Sequence, residues 1–233
     1  MSARKKRTVV MISGRGSNMA SLLEATREDQ YPAEIVGVIS NRSGAPGLEV
    51  ARRAGIDNRV IAQDDFAGGE AHDAAIHDAL VDMQAEIVCL AGYMRIFTAG
   101  FVALWEGRMI NIHPSLLPLF RGLNTHRRAL EAGMRVHGCT VHFVTAGMDE
   151  GPIITQAAVP VHAEDDEASL TARVLSTEHL LYPYALRLVA EGRARMDGAR
   201  TVYSGVAPSS GALISPSPSE GVVDIESLAR MTP

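Results

Sequence analysis

The chain of 233 residues is 46% hydrophobic and 21% charged, with a formal net charge of −5, which makes it globular rather than disordered and argues against a general nucleic-acid binder. It is long enough to bury a substantial core, and no apolar run approaches the roughly 20 residues that cross a bilayer. Its two cysteines, Cys89 and Cys139, have no CxxC partner, so neither a disulfide framework nor a thiolate metal site is expected, and a reducing cytoplasm fits.

The basic cluster at 4–7 reads as a solvated lead-in to a strand, and the apolar run behind it is too short for a secretory signal. Residues 8–12 (TVVMI) form a β-branched strand pattern, followed by SGRGSN and a helical pattern to about Ala25. A second strand is expected at 34–40, a short helix closed by Gly55, and a third strand at 59–62. Ile76, Leu80 and Met83 recur at helical spacing within 70–83; His72 and His77, five apart in that segment, are expected at the surface. Residues 87–91 (IVCLA) and 109–113 (MINIH) are further strands. Strands alternating with helices over short connections predict a mostly parallel sheet with helices on both faces.

After His113 the rhythm changes. Asn124 or Thr125 caps a helix that stops at Gly133, and strands at 139–144 and 153–159 follow with no helix between them, which predicts an antiparallel pair. The acidic run 164–167 suits the positive end of a long helix burying Leu170, Val174, Thr177 and Leu181, with a kink at Pro183. The organisation expected is one domain over 1–205 and a flexible Ser/Pro/Gly-rich tail over 206–233.

Four stretches are candidates for chemistry or binding. Gly14 and Gly16 let the SGRGSN turn tighten, so the amides of Gly16, Ser17 and Asn18 can face an anion at a helix N-terminus; a ligand-free structural turn is the plainer alternative. In MINIH, Asn111 and His113 share one face with Met109, and Pro114 ends the strand there, so two polar side chains arrive together at a strand end. MDEGP at 148–152 offers carboxylates in a loop, either as a plain acidic turn or as a partner for an imidazole. AGYMRIF at 91–97 closes the core or walls a pocket for a flat ligand. His137 and His142 fall on opposite strand faces and do not form a metal-ligand pattern.

Taken in order, NIHPSLLP, THRRALEAG and HGCTVHFVTAGMDEGPIITQ resemble the phosphoribosylglycinamide formyltransferases, folate-dependent enzymes of purine synthesis, over about 8–202. The resemblance implies a Rossmann-like α/β formyltransferase fold and transfer of a formyl group from N10-formyltetrahydrofolate to the amine of glycinamide ribonucleotide. It implies Asn111, His113 and Asp149 as catalytic residues, with Asp149 keeping His113 charged. The acceptor site falls on Gly16, Ser17, Asn18, Leu175, Ser176, Thr177 and Glu178, although an ordinary surface glutamate is the plainer reading of position 178. The folate site falls on Met94, Arg95, Ile96, Phe97, Asn111, Thr145, Ala146, Gly147, Met148 and Asp149. One departure is Gly69, where family members often carry an arginine for the folate tail. The expected partners are the two small-molecule substrates, with no nucleic acid, membrane or metal, in a cytoplasmic monomer or homodimer. The competing readings are methionyl-tRNA formyltransferase, disfavoured because only a short tail follows the long helix, formyltetrahydrofolate hydrolase, another folate-dependent formyltransferase, and a non-catalytic nucleotide-binding module.

Overall fold

The computed structural model describes residues 4–207, 213 and 215; most of the expected tail lies outside the described residues. Five parallel strands, β1 (Lys6–Ile12), β2 (Ala33–Ser40), β3 (Asn58–Val60), β4 (Ile87–Leu90) and β5 (Met109–His113), are extended by β6 (Val136–Phe143) and β7 (Ile153–Pro160). The sheet order is β3-β2-β1-β4-β5-β6-β7, with β6 antiparallel to both of its neighbours. The chain builds outward from β1 to β3 and then returns to place β4 on the other side of β1. That reversal opens a crevice beyond the carboxyl ends of β1 and β4, where open α/β sheets bind ligands.

Among the described residues the α-helices are α1 (Ser17–Thr26), α2 (Gly47–Arg53), α3 (Gly69–Asp82), α4 (Ala99–Leu104), α5 (Thr125–Glu131) and α6 (Glu167–Ala190). Strand alternation divides the apolar side chains between two cores. Val10, Ile12, Ile110, Ile112, Val141 and Phe143 pack with α1, α2 and α6. Val9, Met11 and Met109 pack with Ile76 and Leu80 of α3 and with Phe101 of α4. Asn111 and His113 therefore fall on the Met109 side of β5, as the sequence predicts.

Several expectations are corrected. Helix α4 and a separate hairpin, β8 (Ala194–Asp197) with β9 (Arg200–Tyr203), were not anticipated. The buried stripe of α6 runs through Leu170, Val174, Glu178, Tyr182 and Leu186, while Thr177 and Leu181 are only half-buried. The helix keeps a four-residue stride and accepts a glutamate on its core-facing side. Pro183, where a kink is expected, lies inside this helix of 24 residues. His72 is fully buried rather than exposed, because it continues the Ile76–Leu80 stripe and its Nε2 donates to the Ile61 carbonyl at 2.8 Å. His77 is half-buried, edge-on to Trp105. The basic lead-in is partly structural, since Arg4 and Lys6 both pair with Glu86.

Candidate active site

Ser13, at the end of β1, ties three loops together. Its hydroxyl donates to Asn41 Oδ1 at 2.6 Å and accepts the Met94 amide at 2.8 Å, joining the turns that follow β1, β2 and β4. The chain then turns through Gly16, whose φ of +73° lies in the left-handed region that favours glycine. Gly47, the first residue of α2, packs against this turn: its amide donates to the Gly14 carbonyl at 3.0 Å, and a Cβ on it would meet Ile12 Cδ1 at 2.6 Å. Sequence reasoning missed Gly47, although a glycine directly after Pro46 at a helix start was a visible signal. Helix α1 begins at Ser17 with no side-chain cap, so its first amides are available to an anion.

Asn18 is buried in the first turn of α1, and its Nδ2 donates to Glu178 Oε2 on α6 at 2.7 Å. Burial raises the Glu178 pKa, and the Asn18 hydrogen bond offsets part of that rise. Leu175, one turn earlier, borders a depression beside the loop. The hydroxyls of Ser176 and Thr177 instead donate to the Arg173 carbonyl on their own helix. Of the four acceptor residues expected on α6, Glu178 and Leu175 face the loop region.

The polar cluster forms where β5 meets β6. Register places Asn111 opposite His142 and His113 opposite Thr140, which puts each pair on one face of the sheet. His142 Nδ1 donates to the Phe143 carbonyl at 2.8 Å, so Nε2 carries the lone pair and accepts from Asn111 Nδ2 at 3.2 Å. Burial lowers the His142 pKa, which maintains that neutral tautomer. Asp149 sits at φ +53° in the loop after β6, a conformation that aspartate tolerates better than most residues. Its Oδ2 accepts the Gly122 amide at 2.8 Å and lies 3.4 Å from His113 Nδ1. Its Oδ1 lies 3.8 Å from His142 Nε2. The other nitrogen of His113 meets the Phe120 carbonyl at 3.0 Å. Both ring nitrogens of His113 thus face acceptors, an arrangement that the doubly protonated imidazolium satisfies. The structure brings Asn111, His113 and Asp149 together, and His142 joins them. Its signal was obscured because sequence reading paired it with His137 rather than across the strands with Asn111.

The folate-loop residues divide in two. Met94 and Ile96 are 60% and 65% exposed and present apolar surface. The Arg95 side chain turns inward, pairing with Asp73 and donating to the Gly69 carbonyl at 2.9 Å, and Asp73 also accepts the Thr98 amide. Phe97 is buried, stacked between Tyr93 and Phe101. Arg95 and Phe97 therefore shape this loop with their side chains, instead of offering those side chains to a ligand. In the second loop Met148 is exposed near Gly122, Ala146 is exposed, and Thr145 and Gly147 are half-buried. Among the described residues no group of three or more His, Cys, Asp or Glu side chains could hold a metal ion.

The sheet reversal, the glycine turn into an uncapped helix and the Asn–His–Asp cluster at a strand end together make an α/β domain with a polar site at the carboxyl edge of its sheet. The formyl transferase family matches residues 6–186. The Escherichia coli phosphoribosylglycinamide formyltransferase is 47% identical over 81% of this chain and 89% of its own length. The human trifunctional purine biosynthetic protein adenosine-3 is 49% identical over 83% of this chain but only 19% of its own length; across six such trifunctional relatives this chain spans 14–19%. The crystal structure of glycinamide ribonucleotide transformylase 1 from Symbiobacterium toebii superposes with a TM-score of 0.83 at 48% identity, covering 85% of this chain and 94% of that one. The chain belongs to the formyl transferase family, among its phosphoribosylglycinamide formyltransferases.

Proposed function

We propose that the protein transfers the formyl group of N10-formyltetrahydrofolate to the primary amine of glycinamide ribonucleotide, giving formylglycinamide ribonucleotide and tetrahydrofolate in purine synthesis. The observation that carries this reading is the Asn111–His142 and His113–Asp149 pairing at the end of β5, in a protein that also holds an uncapped glycine-turn helix start. The exposed Met94, Ile96 and Met148 side chains suit a flat heteroaromatic donor.

The acceptor amine is itself the nucleophile, so no serine or cysteine nucleophile takes part. As its nitrogen bonds to the formyl carbon, negative charge grows on the formyl oxygen. Asn111 and His113 donate to that oxygen; a preorganised donor of this kind is worth about 3 kcal/mol. His142 accepts one Asn111 N–H and so fixes the amide plane, leaving the second N–H for the oxyanion. The Nε2 proton that His113 shares with the Phe120 carbonyl becomes the proton available to the reacting atoms. Asp149 stabilises the charged imidazole through the transition state. Collapse breaks the bond from carbon to the folate nitrogen, which takes up the proton that the amine gives up. Asn18, Ser17 and Gly16 hold the acceptor's phosphate end, and Glu178 its ribose or glycinamide portion, so that the amine is oriented.

The same reading makes this a cytoplasmic enzyme of small molecules, a monomer or homodimer that requires neither a metal nor a nucleic acid. The free, buried Cys89 and Cys139 suit a reducing compartment. The test is steady-state kinetics of His142→Phe, which cannot accept from Asn111. The expected result is a fall in kcat of about 10²-fold with a smaller change in KM for either substrate. An unchanged kcat would remove the amide-orienting role.

A further inference from the structure

The depression beside the glycine turn contains a cation that the mechanism above leaves unused. Arg15 stands between Gly14 and Gly16, is exposed, and has no ion-pair partner among the described residues. By contrast, Arg173 on the adjacent stretch of α6 is held by Asp165 at 2.6 Å. Arg15 and the α6 residues Glu167, Thr171 and Leu175 border an open depression of about 500 Å³. Glu178 lies one helical turn beyond Leu175 and meets Asn18 from the first turn of α1. Asn18 is only 9% exposed, and its Oδ1 is buried without a hydrogen-bond partner among the described residues.

The charges here do not balance for a phosphate. The other residues of the turn, Gly14, Gly16, Ser17 and Asn18, supply dipoles but no charge, while Glu167 and Glu178 are both carboxylates near the position an anion would take. The amides of α1 offer about half an elementary charge, against nearly two on a phosphate monoester. A guanidinium has five donors in a planar fork that matches two phosphate oxygens at once. Arg15 is anchored in the turn by its own backbone, so its reach is set by the same glycines that aim the amides. With no competing partner among the described residues, it is available to an incoming anion.

We infer that Arg15 is the charged arm of the acceptor's phosphate site and makes the enzyme selective for a phosphorylated acceptor over its dephosphorylated counterpart. This inference rests on the acceptor-site reading above. Thr171 and Leu175 border the same depression as Arg15, and the Glu167 carboxylate, at the start of α6, repels a phosphate from that end.

The experiment compares wild type, Arg15→Ala and Arg15→Lys, with the formyl donor saturating. Glycinamide ribonucleotide and its dephosphorylated nucleoside serve as acceptors, and inorganic phosphate as the competing inhibitor. Arg15→Ala is expected to raise KM for the ribonucleotide tenfold or more, weaken phosphate inhibition by a similar factor, and leave kcat/KM for the nucleoside unchanged; Arg15→Lys recovers part of both losses. A merely structural role would depress both acceptors alike and would not respond to lysine. Equal KM and equal phosphate inhibition in wild type and Arg15→Ala would overturn the inference. A wild-type protein that fails to formylate the ribonucleotide at all would instead overturn the functional reading on which it rests.

Discussion

Replacing Asp149 by asparagine removes one charge while preserving most of its contacts. Asparagine tolerates the left-handed φ of +53° and can still accept the Gly122 amide. What is lost is the negative charge 3.4 Å from His113 Nδ1, with the two side chains only 7% and 14% exposed. Two unit charges at that separation attract by about 5 kcal/mol at an effective dielectric constant near 20, and by about 1 kcal/mol in bulk water. In the proposed mechanism the imidazole carries charge as the oxyanion forms, so this loss falls on the transition state. The fall in kcat is expected to be about 10²- to 10³-fold. Steady-state kinetics with glycinamide ribonucleotide varied, alongside calorimetric binding of each substrate, separates the terms; melting within about 2 °C of wild type shows that the fold is intact. Near-normal kcat with a large rise in KM for the ribonucleotide would refute the reasoning, because Asp149 would then be holding substrate rather than charge.

Gly47→Ala should weaken the ribonucleotide KM about tenfold, and stability by about 1–3 kcal/mol, because its methyl would meet Ile12 Cδ1 at 2.6 Å and press on the Gly14 carbonyl; kinetics and chemical denaturation measure the two effects. Glu178→Gln should melt about 2 °C higher at pH 7 while losing ribonucleotide affinity. Burial raises the folded-state pKa of Glu178, so its destabilising effect is absent at low pH and grows as pH rises through and above the ordinary carboxylate range. An equal or lower melting temperature at neutral pH would contradict that sign. His137 is buried beside His126, and burial pushes its pKa down to about 4. The unfolded chain therefore takes up a proton on this ring first, and the fold loses stability as pH falls from about 6.5 toward 4, by at most about 3 kcal/mol. Denaturation of His137→Gln across that range should show a shallower slope than wild type; parallel curves would count against it.

The parallel half of the sheet was legible because β1, β2 and β4 are β-branched apolar runs buried on both faces, a pattern that depends on few distant contacts. Helix α4 was not, since six residues including Gly100 give too few periods to separate a helix from a loop. Alternating charges in Arg195, Asp197 and Arg200 hid the β8–β9 hairpin, although its turn carries the Asp197–Gly198 pair that marks such turns. Within the site, Asn111 and His113 were readable from strand alternation alone. Glu178 as a core-facing residue was not, because what justifies its burial is Asn18, 160 residues earlier in the chain. The inward turn of Arg95 was equally hidden, since it depends on Asp73 lying beneath the loop.

The most direct measurement supplies one formyl donor and lets acceptors compete for it. The protein is given N10-formyltetrahydrofolate with glycinamide ribonucleotide, with methionyl-tRNA, or with buffer alone, and formylated products and free formate are quantified by mass. On the proposed reading Asn111, His113 and Asp149 serve any nucleophile, so the choice among acceptors lies with the residues proposed to hold the acceptor, from Gly16 to Asn18 and at Glu178. Water has no group for those residues to hold, and positioning of this kind supplies several kcal/mol. The predicted result is that formylglycinamide ribonucleotide appears far faster than either formate or formylmethionyl-tRNA, and that tetrahydrofolate release depends on the amine. Rapid formate release without the amine, or preferential formylation of the tRNA, would contradict the account.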